Sequence, residues 1–85
     1  MDISETERAL NKQVALALKL QKTAVGMTYD QIADKSELST RTVKRYLNGE
    51  REIGVGTLIT LARAMRTTAR DIITAADQAI ENSSK

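Results

Sequence analysis

Apolar residues recur at every third or fourth position along most of the chain, and no segment alternates apolar with polar residues. Such spacing places side chains on one face of an α-helix, whereas a half-buried strand would alternate. The sequence has no proline, the residue that most often interrupts a helix. The pattern predicts one all-α domain over residues 1–85, with a core over about residues 5–80 and a frayed tail over residues 81–85.

The first predicted helix runs from Ser4 or Glu5 to about Ala24, and Gly26 ends it because glycine is favoured just past a helix C-terminus. Its aliphatic residues form a wide apolar face, as expected for a helix that covers a core. We expect the large aliphatic side chains at seven positions of the chain to be buried. They are Leu10, Leu16, Leu20, Ile32, Leu58, Leu61 and Ile72.

The next two predicted helices are short, and each is preceded by a capping residue. Thr28 and Gln31 match a capping box, so the second helix begins directly after Thr28 and ends near Lys35. Ser39 caps the third helix, which ends at the dipeptide "NG" of residues 48–49. A turn of about three residues separates the two helices, which is the arrangement of a helix-turn-helix unit.

Two further helices are predicted after the polar segment "EREIGVG". The fourth carries five apolar residues at helical spacing: Val55, Leu58, Leu61, Ala62 and Met65. The fifth begins at Thr68, with Asp71 as its capping partner. We expect Ile72 and Ile73 to fill the core. The apolar residues that then remain on this helix predict a surface for a second copy of the chain: Ala76, Ala79 and Ile80.

The composition excludes several classes of function. The 85 residues include no Cys and no His, which excludes disulfides, thiolate chemistry, imidazole catalysis and the usual zinc sites. No glycine-rich phosphate loop or metal-ligand spacing occurs either, so we expect no enzyme activity, no metal and no cofactor. The apolar stretches are too short to span a bilayer, and "MDISETER" does not resemble a targeting signal. We therefore expect an intracellular protein that contacts no membrane.

The third predicted helix has two chemically different faces. On a helical wheel, the centre of its apolar face lies about 140° from the centre of its polar face. The apolar face consists of Val43, Tyr46 and Leu47. The polar residues are Thr40, Arg41, Lys44, Arg45 and Asn48. Most basic helix faces are merely solvated. On the second helix of a helix-turn-helix unit, however, Arg and Lys donate to guanine edges and phosphates in a major groove. The motif therefore favours contact with DNA.

The segments "MTYDQIADKSELSTRTVKRYLNGER", "GVGTLITLARAM" and "TARDII" resemble the phage repressor and Cro family of helix-turn-helix proteins, also called the XRE family. The resemblance covers roughly residues 10–75. It implies a compact five-helix, lambda-repressor-like fold in which helices 2 and 3 form the DNA-binding unit. Two positions depart from the family, because Glu37 in the turn and Arg66 after the fourth helix stand where the family often has glycine.

The resemblance also implies roles for individual side chains. Base contacts fall on Thr40, Arg41, Lys44 and Arg45. Contacts to the DNA backbone fall on Ser39, Asn48 and Tyr29, the last standing where the family usually has Gln.

The resemblance implies a transcriptional regulator of the phage repressor or Cro type, in the cytoplasm of a bacterial cell or a phage-infected bacterial cell. Its partner is a double-stranded operator with an inverted repeat, bound by a homodimer whose two recognition helices lie about 34 Å apart. One alternative is the DNA-binding antitoxin of a toxin–antitoxin pair, in which the segment from Asp77 onward binds the toxin. Another is a helical protein-interaction module that makes no contact with DNA.

Overall fold

A computed structural model of the chain describes residues 3–83, which form five α-helices and no strand. The helices are α1 Ile3–Val25, α2 Tyr29–Ser36, α3 Thr40–Leu47, α4 Val55–Ala64 and α5 Ala69–Ser83. Helix α1 packs against α5 and α3, α2 packs against α3 and α4, and α4 also contacts α5. The predicted all-α fold of five helices is confirmed.

Local hydrogen bonds define the starts of the two central helices. The backbone N–H of Gln31 donates to Thr28 Oγ1 at 3.1 Å, and the N–H of Thr28 donates to Gln31 Oε1 at 2.9 Å. At the next helix, the N–H of Thr42 donates to Ser39 Oγ at 3.1 Å. These bonds satisfy N–H groups that have no partner inside the helix. The capping predictions at Thr28 and Ser39 are confirmed.

The core is aliphatic and lies between all five helices. Its largest fully buried side chains are Leu18, Ile32, Val43, Leu47, Leu61 and Met65. Four of the predicted core residues are buried: Ile32, Leu58, Leu61 and Ile72. Because Val43 and Leu47 lie beneath α3, the opposite side of that helix faces outward.

The prediction of burial was wrong for the other three residues, since Leu10, Leu16 and Leu20 are all exposed. Helix α1 has two apolar faces, and the face that is buried contains Ala15 and Leu18. On a helical wheel, Leu16 and Leu20 lie roughly 160° from the centre of the buried arc. Leu10 lies near the edge of that arc, more than two turns before Leu18, where it lines a surface groove together with Val14 and Ile53. Helix α1 therefore presents leucines to solvent.

Corrections are also needed on the last two helices. Ile73 is 52% exposed, whereas Ala76, predicted for a dimer surface, is only 4% exposed and packs in the core. Ala79 and Ile80 are half-buried. Val55 is exposed because the inward side of α4 begins only with the following turn.

The predicted frayed tail is helical as far as Ser83, and residues 84–85 of that prediction lie outside the described residues. Helix α5 starts where the sequence indicates, since the N–H of Asp71 donates to Thr68 Oγ1 at 3.1 Å. Among the five helices of residues 3–83, none has the length and apolar character that a membrane span requires.

The loop between α3 and α4 is fastened to α1 by one side chain. Asn11 Nδ2 donates to the carbonyl oxygen of Arg51 at 3.0 Å, and Asn11 Oδ1 accepts from the N–H of Ile53 at 2.8 Å. The Arg51 guanidinium lies 5.1 Å from the centre of the Tyr46 ring, at the end of α3. These contacts hold the C-terminal end of α3 against the first helix.

Two turns contain non-glycine residues in the left-handed region. Glu37, in the turn between α2 and α3, and Arg66, after α4, both have a φ of 62°. A left-handed conformation costs an L-residue on the order of 1–2 kcal/mol. The turns thus keep the geometry for which glycine is favoured, without glycine.

We expect Glu37→Gly to stabilise the domain by about 0.5–1 kcal/mol, because glycine removes this strain but adds chain entropy to the unfolded state. The midpoint of thermal unfolding should rise by several degrees, at about 4–8 °C per kcal/mol for a domain of this size. The matched control is Glu52→Gly, since Glu52 has no positive φ, and it should lower the midpoint. An equal fall for both variants would contradict the assignment of strain at Glu37.

Candidate nucleic-acid interface

Helix α3 presents its predicted base-contact residues unequally. Arg41, Lys44 and Arg45 are exposed, whereas Thr40, the first residue of the helix, is half-buried. The guanidinium groups of Arg41 and Arg45 have no hydrogen-bond or ion-pair partner among the described residues 3–83. Each guanidinium therefore keeps its planar set of N–H donors for a ligand from outside.

Tyr29 brings together cations from two other helices. Its ring, at the start of α2, lies 4.5 Å from Lys22 Nζ of α1 and 5.6 Å from Lys44 Nζ of α3, both measured to the ring centre. Ammonium groups at these distances are attracted by the negative face of an aromatic ring. The half-buried ring also packs against the core. Tyr29 thus positions two lysines, and the contact of its own hydroxyl with phosphate stays a prediction.

Asn48, directly after α3, is joined to α1 by a second lysine. Lys19 Nζ donates to Asn48 Oδ1 at 3.0 Å. An ammonium group can only donate, so the carbonyl oxygen of the Asn48 amide must face Lys19. The two amide N–H donors then remain for another acceptor. This orientation suits the predicted contact of Asn48 with the DNA backbone.

The start of α3 is more constrained than the sequence indicated. Thr40 Oγ1 donates to Asp30 Oδ1 at 2.8 Å, so a carboxylate of α2 lies beside the first of the predicted base-contact residues. Ser39 Oγ accepts from the N–H of Thr42 and donates to Thr42 Oγ1 at 2.8 Å. The hydrogen of Ser39 is thereby engaged within the cap, and its contact with phosphate stays a prediction.

The structure places three residues here that sequence reasoning missed: Lys19, Lys22 and Asp30. The two lysines lie on α1, outside the helix-turn-helix segment where basic residues were sought. A signal was present, because Lys12, Lys19 and Lys22 fall within an arc of about 80° on a helical wheel of α1. No comparable signal marks Asp30, since its position beside Thr40 depends on how α2 and α3 pack.

Comparison with protein families gives a match to a helix-turn-helix family over residues 18–72. The chain belongs to the XRE family of helix-turn-helix proteins. A sequence comparison with curated proteins gives no match.

Two solved structures of the clp gene regulator ClgR from Corynebacterium glutamicum share the fold. One has a TM-score of 0.78 at 20% identity and covers 82% of this chain and 91% of its own. The other has a TM-score of 0.81 at 19% identity, covering 88% and 80%. Family and fold identify a DNA-binding transcription regulator, in which α2 and α3 are the helix-turn-helix.

We expect Lys19→Gln to weaken binding to all DNA sequences by a similar factor, because an ammonium beside a phosphate contributes charge but no base recognition. The slope of log K against log salt should become less steep by about 0.9 for each phosphate that is no longer neutralised. Lys35→Gln, on the last turn of α2, removes the same charge elsewhere and is the control. Equal effects of the two substitutions would show that only net charge matters.

Proposed function

We propose that this protein is a sequence-specific regulator that binds an operator by placing α3 in the major groove, in the manner of a phage-type repressor or a Cro-like protein. The observation that carries the proposal is the pair of partnerless guanidinium groups of Arg41 and Arg45 on the exposed side of α3. A helix face that contacts only solvent would not require oriented hydrogen-bond donors from α1 on either side of it. Lys19 and Lys22 provide such donors.

The residues divide into two roles in this proposal. Arg41 and Arg45 extend from successive turns of α3, where a guanidinium can donate two parallel hydrogen bonds to O6 and N7 of guanine. Lys44 contacts either a base in the major groove or a phosphate of the DNA backbone, because it lies near Tyr29. Contacts to phosphates come from residues around the helix: Tyr29, Ser39, Asn48, Lys19 and Lys22. Binding blocks access of the polymerase to the promoter, inside the bacterial cell.

We expect Arg41→Ala and Arg45→Ala each to relax the preference at one base pair and to cost about 1–3 kcal/mol of binding. Stability should change by less than about 0.5 kcal/mol, because both side chains are exposed. Asn48→Ala should instead weaken binding to every sequence while keeping the preferred site. The measurement is selection from a random DNA library with each variant, beside its melting temperature.

The matched structural control is Val43→Ala, which should destabilise the fold by about 2 kcal/mol through reduced burial and a cavity. If both arginine variants selected the wild-type site with wild-type affinity, α3 would not read DNA. The protein would then be a helical interaction module.

We further propose that two copies bind one inverted-repeat operator, because one short helix contacts few bases. The surface for the second copy is the groove between α1 and α5, of about 270 Å³, where Leu16, Leu20, Ala75 and Ala79 line the wall. The groove residues of α1 centre about 130° from Lys19 on a helical wheel, so a partner there leaves the basic side open. Ala76, being buried, takes no part in it.

We expect Leu20→Glu to abolish cooperative binding to an inverted repeat while leaving affinity for a single half-site unchanged. Leu20 is 62% exposed, so the fold should tolerate the substitution, but a charge in an apolar contact between copies is costly. The control is Ile59→Glu, an exposed apolar residue on α4 outside the groove. Sedimentation of the complexes gives the number of chains bound. Saturation of the operator by a single wild-type chain would disprove the pairing.

A further inference from the structure

The contact between Asp30 and Thr40 joins an acid to a surface that is otherwise basic. Asp30 is exposed in the first turn of α2, and Thr40 is half-buried as the first residue of α3. Their oxygens, Thr40 Oγ1 and Asp30 Oδ1, are 2.8 Å apart. In a helix-turn-helix unit the N-terminal residues of the second helix meet the base edges. With α3 in the major groove, the pair therefore lies where the protein contacts base edges.

This contact is not needed to hold the two helices together. Ile32 and Ala33 of α2 and Val43 of α3 are already buried in a common core cluster. A hydrogen bond adds a net contribution of about 0.5–1.5 kcal/mol to stability, or about 1.5–3 kcal/mol where one partner is charged. Exposure of Asp30 to water lowers this contribution. An acid near the DNA phosphates also weakens binding by like-charge repulsion. Because the core already joins α2 and α3, we expect this contact to affect base recognition more than folding.

The direction of the hydrogen bond determines what Thr40 can offer to a base. A carboxylate has no hydrogen to donate, so the hydrogen between the two oxygens belongs to Thr40. With that hydrogen engaged, Thr40 Oγ1 can only accept. The second oxygen of Asp30 is likewise an acceptor. In the major groove the only base donors are the amino groups of adenine N6 and cytosine N4.

We propose that Asp30 and Thr40 form an acceptor-only element that selects adenine or cytosine on the strand facing them at one operator position. The reversed base pair, which places thymine or guanine there, is rejected. The inference rests on the proposed function, since it requires α3 to lie in the major groove. Asp30 acts on the base through its own oxygen and by fixing the hydroxyl hydrogen of Thr40. Guanine O6 and N7 and thymine O4 are acceptors, and they would meet oxygens that have no hydrogen to give.

The experiment is selection from a random DNA library with the wild-type protein and four variants. Asp30→Asn replaces one acceptor oxygen with N–H donors, and Thr40→Val removes the hydroxyl while keeping the shape. Thr40→Ser keeps the hydroxyl, and Asp34→Asn removes an equal charge from the exposed side of α2. Melting temperatures identify any variant that fails to fold, in which case the other member of the pair decides.

The wild type, the conservative variant Thr40→Ser and the charge control Asp34→Asn should select one orientation of a base pair at one position. In Asp30→Asn and Thr40→Val the preference there should fall by about tenfold, with the remaining positions unchanged. A wild-type consensus that both variants reproduce would overturn this inference and leave the proposed function standing. Equal binding of the two orientations of that base pair by the wild type would overturn it as well. If the wild type selected no site at all, the proposed function would fail and this inference with it.

Discussion

Burial of Val43 and Leu47 beneath α3 is the interaction on which the interface depends. The two side chains are 0% and 1% exposed, and burying each contributes about 1.5–3 kcal/mol. An exposed polar contact on the other side of the helix contributes about 0–1 kcal/mol. The rotation of α3 about its axis is therefore fixed from within. The side chains of Arg41 and Arg45 make no contact that the fold requires. Substitutions on the outer side of α3 can therefore be made without loss of the fold.

The position of α3 along its axis depends on contacts at its two ends. The Ser39 cap and the left-handed Glu37 set the entry of the chain, and Asn11 holds the loop that leaves it. Strain at Glu37 is tolerated because these contacts and the core determine the path of the turn together. A shift of α3 by one residue would rotate Val43 out of the core, so the apolar contacts and the caps specify the same register.

The helix-turn-helix could be predicted because its signals are local. The caps at Thr28 and Ser39 involve residues three positions apart, and hydrogen bonds at that range form with little help from the rest of the fold. The burial of α1 could not be predicted in this way. A helix with two apolar faces can bury either, and only packing against α3 and α5 decides that Leu16 and Leu20 remain outside. Lys19 escaped prediction for the same reason, since its partner is 29 residues away.

The positive charges of the interface are clustered on one surface, although the net charge of the whole chain is only +2. Lys22 and Lys44 approach one aromatic ring from different helices, so two ammonium groups that repel each other are held near Tyr29. Attraction to the ring offsets part of this repulsion, by about 0.5–1 kcal/mol for each exposed cation. A phosphate bound between the two lysines would cancel the repulsion that remains between them. Because their positions are already restricted, little side-chain entropy would then be lost on binding. We expect the same arrangement to make the affinity for DNA depend steeply on salt, because lysines that neutralise phosphates release the counterions condensed on the DNA.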